Sequence, residues 1–136
     1  MPTSPEQRPA LKLGLRLDFL PGGRLGPGKA DLLEAIARTG SISGAGRAMK
    51  MSYRRAWLLV DDLNGMFTQA LVEAQPGGAK GGGARLTPLG REVVAHYRAV
   101  ERAVLEAGAP HIEALREMID MTPRATETDM PTQDEG

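Results

Sequence analysis

Two octapeptides, residues 21–28 (PGGRLGPG) and 76–83 (PGGAKGGG), each hold six Gly or Pro in eight positions. Glycine supplies positive φ and proline a fixed φ, and both are poor inside helices and strands, so both stretches must be turns or loops. The regular elements of this 136-residue chain lie before, between and after them. Such a length suits one domain with a single core and a tail. Hydrophobic residues make up 41% but aromatics only 4%, so the core must be aliphatic. No apolar run approaches the roughly 18 residues of a membrane span. The opening residues, 1–9, are polar with three prolines and show no secretory signal. Cysteine is absent, which excludes disulfide scaffolds, thiolate zinc sites and cysteine nucleophiles, and fits a reducing, cytoplasmic setting.

Before the first loop, Leu11, Leu13, Leu15, Leu17 and Phe19 alternate with Lys12, Gly14, Arg16 and Asp18. This period of two predicts a half-buried strand over residues 11–20. From Lys29 the period becomes helical, with Leu32, Leu33, Ile36 and Ala37, until Gly40 stops it as a C-cap. Ser43 is placed to cap a short second helix to about Met49, and Ser52 a third. That third helix carries a stripe of Ala56, Leu59, Val60, Leu63 and Phe67. Residues 71–74 and 84–86 read as two strands around the second glycine loop. Thr87-Pro88 opens another helix, with Leu89, Val93, Tyr97, Val100 and Val104 on one stripe. Gly108-Ala109-Pro110 is expected to break it before a short helix over 107–121. Residues 1–10 and the acidic tail 122–136 are expected to be disordered.

The net charge of +0 conceals a division: residues 1–86 carry 12 Lys/Arg against 7 Asp/Glu, and residues 87–136 carry 5 against 10. Arg38, Arg47, Lys50, Arg54 and Arg55 stand in a window, residues 35–60, that contains no acid. A basic front suits an anionic partner.

Enzyme chemistry finds little support. Gly23 to Lys29 matches the spacing of a phosphate-binding loop, but Ala30 stands where magnesium needs a hydroxyl, and Pro27 removes a loop N–H. A glycine hinge leading into a helix is the better reading. His96 and His111 are 15 residues apart and lack metal-ligand spacing, so no metal or other cofactor is expected. There is no G-x-S-x-G elbow and no catalytic carboxylate pair.

Three helices with a very short second connection, followed by a two-stranded ribbon, predict a mainly α fold with a small antiparallel β part: a winged helix-turn-helix over residues 11–106. In this architecture the N-terminal residues of the third helix face base edges in the major groove. Here these are Ser52, Tyr53, Arg54 and Arg55, and arginine matches guanine O6/N7 best. Trp57 falls one residue off the apolar stripe, so packing against a neighbouring element and lying at the DNA face both remain open. Lys80 gives the wing a cationic tip suited to a phosphate backbone.

Ser41-Ile42-Ser43, then residues 51–57 (MSYRRAW), the lysine-bearing polyglycine 77–83, and residues 86–90 (LTPLG) closely resemble the DNA-binding domain of the ModE molybdate-responsive regulators. A more distant likeness is to LysR-type winged helix-turn-helix domains. The resemblance spans about residues 11–106. It implies a dimeric transcription regulator on double-stranded, palindromic operators, tied to molybdenum homeostasis. It also implies Ser52, Tyr53, Arg54 and Arg55 at the groove and Lys80 in the wing; Ser41, Ser43, Trp57 and Arg85 are expected to join them at the DNA. Dimerisation is expected through Leu89, Val93, Tyr97, Val100 and Val104, whose stripe is longer than a three-helix core needs. Regulators of this family continue into β-barrel domains that bind molybdate. No such domain is expected in residues 107–136, whose acid excess repels an oxyanion, so this chain alone is expected not to bind molybdate. The competing function is a winged-helix module that docks an acidic protein without specific DNA binding.

Overall fold

The computed structural model describes residues 9–76 and 82–122. Its elements run β1 (Leu17–Phe19), β2 (Gly23–Leu25), α1 (Pro27–Thr39), α2 (Ile42–Ala48), α3 (Tyr53–Met66), β3 (Val72–Gln75), β4 (Gly83–Leu86) and α4 (Pro88–Met118). The fold is mainly α with two small antiparallel ribbons, β1–β2 and β3–β4. Contacts divide the chain into Leu13–Leu105 and a second unit made of the residues on either side.

The core of the first unit is aliphatic, as the composition requires: Leu32, Leu33 and Ile36 of α1, Ala45 of α2, Ala56, Val60 and Leu63 of α3, with Leu71, Val72, Ala84 and Leu86 at the wing. Tyr97 is its one aromatic member. The stripe read on α3 faces inward as expected, with Leu59 and Phe67 packed at its edge.

Four expectations need correction. First, only Leu17–Phe19 of residues 11–20 forms a ladder, pairing with Gly23–Leu25. The alternation holds over residues 12–17, where Leu13, Leu15 and Leu17 are half-buried while Lys12, Gly14 and Arg16 are exposed, but Leu11 and Phe19 at either end are exposed as well. The partner strand is three residues long, so the remainder of the extended segment has nothing to pair with. Second, α2 is capped by Ser41, whose Oγ accepts from the Gly44 N–H at 2.8 Å, and Ser43 lies inside the helix. Third, α4 runs unbroken through Pro110. Proline there leaves the Glu106 carbonyl without its helical donor, but Glu106 and Pro110 are both exposed, so that carbonyl lies on a solvated stretch. Fourth, Tyr97 is 1% exposed and packs within its own chain, its hydroxyl donating to the Leu15 carbonyl. Leu89 and Val93 are also packed on the core, which leaves Val100 and Val104 as the exposed members of that stripe.

Three local devices fix the geometry that matters later. Thr87 caps α4, its Oγ1 accepting from the Gly90 N–H at 3.0 Å, and the first turn of the helix is laid on the chain before β3. A Cβ on Gly90 would stand 2.3 Å from the Leu71 carbonyl oxygen. Arg98 of α4 reaches Asp31 at 2.6 Å and Glu34 at 2.8 Å on α1, with Glu101 at 3.0 Å. The hydrogen bond from Arg98 holds the Glu34 carboxyl below the usual range, while burial pushes the Tyr97 phenol up. Finally, α2 ends in a Schellman turn: the Lys50 N–H donates to Arg47 O at 3.1 Å and the Met51 N–H to Gly46 O at 2.9 Å. Lys50 stands at its left-handed position with φ 59°, where a side chain costs about 1 kcal/mol relative to glycine.

Candidate nucleic-acid interface

The Ser52 hydroxyl accepts from the Arg55 N–H at 3.1 Å and so starts α3 with an exposed first turn. A capping hydroxyl spends a lone pair, not its proton, so Ser52 keeps an O–H donor for a partner. Tyr53, Arg54 and Arg55 are all exposed, and among the described residues neither arginine makes an ion pair. The helix N-terminus adds its partial positive charge at this end. The sign changes along the helix: Asp61 and Asp62 occupy α3 two turns further on.

Tyr53 and Trp57, one turn apart, form an aromatic ledge, 58% and 46% exposed. They line a cleft of about 390 Å³ between α3 and the wing, shared with Ile42, Ser43, Val60 and Ala74. Trp57 thus packs one side against the wing cleft and leaves the other at the surface.

The wing is short and in register, Val72 opposite Leu86 through Gln75 opposite Gly83. Ala84 N–H donates to the Gly40 carbonyl at 2.9 Å, which fastens β4 to the end of α1. Arg85 is exposed but bonds Glu73 across the ribbon at 2.8 Å, so its charge is partly met. Ser41 serves as the α2 cap, and Ser43 Oγ accepts from Arg47 Nη1 at 2.8 Å. Lys80 lies outside the described residues. Lys29 does not sit in a phosphate loop: its ammonium is held by the Arg24 carbonyl at 2.9 Å and by the Asp62 carboxylate.

Asn64 escaped the sequence reading. Its Oδ1 accepts from the N–H groups of Leu71 at 2.8 Å and Val72 at 3.0 Å, and its Nδ2 donates to Val72 O at 3.1 Å. One side chain therefore pins the last turn of α3 to the root of the wing. The only sequence signal was a polar residue next to the apolar Leu63 in a helix that ends shortly after. Asn64→Ala strands two backbone donors and is expected to cost about 2–4 kcal/mol, measurable by urea denaturation.

A three-helix core with a short α2–α3 turn, a basic exposed start to α3 and a two-stranded wing define a winged helix-turn-helix. Residues 29–91 match the family model described as "Bacterial regulatory helix-turn-helix protein, lysR family". Over the same region the chain is similar to molybdenum-related proteins. It is 48% identical over 84 residues to the molybdenum-pterin-binding protein MopA of Rhodobacter capsulatus, covering 62% of this chain and 32% of that protein. It is 42% identical over 87 residues to the molybdenum transport protein ModE of Azotobacter vinelandii, covering 64% and 32%. It is 38% identical over 71 residues to the DNA-binding transcriptional dual regulator ModE of Escherichia coli (strain K12), covering 52% and 27%. The matched part of the chain spans about a third of the length of these curated relatives. Among the described residues no helix is long and apolar enough to cross a membrane, and no group of His, Asp or Glu could hold a metal ion.

Proposed function

We propose that this chain binds duplex DNA as the operator-reading part of a transcription regulator of the ModE type. The observation that carries the reading is the start of α3, where Tyr53, Arg54 and Arg55 are exposed and the arginines make no ion pair among the described residues. Inserted in the major groove, this turn brings two guanidinium forks to base edges, while the hydroxyls of Ser41, Ser43 and Ser52 donate to phosphates beside it. Trp57, the only tryptophan of the chain, reports the event. Fluorescence titration with random duplex DNA, on which Arg54 and Arg55 meet phosphates rather than cognate bases, is expected to show binding whose logarithm falls with log salt at a slope of about −3 to −4, from these two with Arg47 and Lys50. Salt-independent binding, or none, sinks the proposal.

The chain acts as a homodimer on a palindromic operator. Val100 and Val104 are exposed on α4, and further along the same helix so are Leu115 and Met118. The apolar stripe thus outruns what the first unit buries, and burying it against a second copy removes it from water. Sedimentation at tens of micromolar is expected to give twice the monomer mass.

A further inference from the structure

Among the described residues Lys50 is the single non-glycine residue at positive φ. The same chain places glycine at its other left-handed helix end, Gly40 after α1 with φ 81°. Where only the backbone matters, then, this sequence uses the residue that the backbone prefers. At the α2–α3 turn it keeps a lysine instead, and packing does not account for it, because the side chain is exposed. Nor does pairing account for it, since among the described residues Lys50 makes no ion pair.

The surroundings show what such a side chain serves. Lys50 stands two residues before the cap of α3, between Arg47 in the last turn of α2 and Arg54 in the first turn of α3. All three are exposed cations on the short connection that joins the positioning helix to the reading helix. When α3 enters a major groove, this connection stands at the groove's rim, where the sugar-phosphate backbone runs. We propose that Lys50 is a phosphate-gripping residue whose ammonium seats on one backbone phosphate and fixes the register of α3, without reading a base. The proposal rests on the duplex-binding reading above.

Lys50→Gly removes the charge and the disfavoured backbone together, so two readouts move in opposite directions. The thermal midpoint is expected to rise by about 3–6 °C. Affinity for duplex DNA at about 0.1 M salt is expected to fall roughly 5–10-fold on every sequence alike, with the salt slope shallower by about one. Lys50→Arg is expected to hold both affinity and slope near the parent values. A Lys50→Gly protein that binds with unchanged affinity and slope, while Arg54→Ala weakens binding, overturns the role of Lys50 and leaves the DNA reading intact. A loss confined to one base sequence also overturns it, since a phosphate contact carries no base preference. A lowered midpoint would show that the lysine is there for the fold. If the parent chain itself lacks salt-dependent duplex binding, the failure lies in the underlying reading.

Discussion

Gly90→Ala is expected to destabilise the domain by about 3 kcal/mol or more, lowering its thermal midpoint by roughly 10–20 °C. The added methyl carbon would lie 2.3 Å from the Leu71 carbonyl oxygen, well inside van der Waals contact. The neighbour cannot yield easily. That same oxygen accepts the Thr87 N–H at 2.9 Å, and the Leu71 N–H is held by Asn64 at 2.8 Å. Relief therefore means lifting α4 off the root of the wing, which uncovers Leu71 and Leu86, both buried. Gly65 provides the contrast: nothing lies within 4 Å of the position of its Cβ, and it sits in α3. Gly65→Ala is expected to be neutral or stabilising by about 0.5 kcal/mol, through helix propensity alone. Urea denaturation of the two variants separates them. Equal stability would mean that α4 does not start where it is described.

Arg54→Ala and Arg55→Ala are expected to weaken binding to a selected operator by about 1–3 kcal/mol each, or roughly 5–150-fold, and to relax base preference. The warrant is geometric. Both side chains stand in the first turn of α3 and are exposed, so removing either leaves the core untouched. Circular dichroism and thermal midpoint are accordingly expected to stay at parent values while affinity falls. This profile is opposite to that of Gly90→Ala, which acts on the fold. If both arginine variants bind the operator as tightly as the parent, α3 is not the reading helix.

Much of this was legible in the sequence because the signals are local. Ser52 before an amphipathic run, Thr87-Pro88 before another, and glycine at position 40 each announce a helix end within four residues. Period two in residues 11–20 gave the right faces for residues 12–17 but not for Leu11 and Phe19, and not the ladder, since strand length is decided by the partner. The choice of Ser41 over Ser43 as the α2 cap follows from where Gly40 turns the chain, and both serines have the chemistry. The stripe on α4 assigns Tyr97 to a dimer seam, yet it is covered by an extended segment 82 residues earlier in the chain. Gly90 and Asn64 were invisible for the same reason. Their roles exist only once the wing root has been brought against them.

The change of sign along α3 sets a limit of another kind. Arginines stand in its first turn, and two turns later Asp61 meets any phosphate with repulsion, beside Asp62, whose charge is met by Lys29. If α3 reads the groove as proposed, the stretch of helix left for it addresses about four base pairs. Such a word recurs by chance about once in 250 base pairs, and a genome offering a million or more competing sites repeats it thousands of times. An address that common is no address. Two copies of the word at fixed spacing and mirrored sense recur about once in 65,000 base pairs, and the bases under the wing narrow that further. The acids that shorten the word thereby make pairing of the readers a matter of information as much as of affinity.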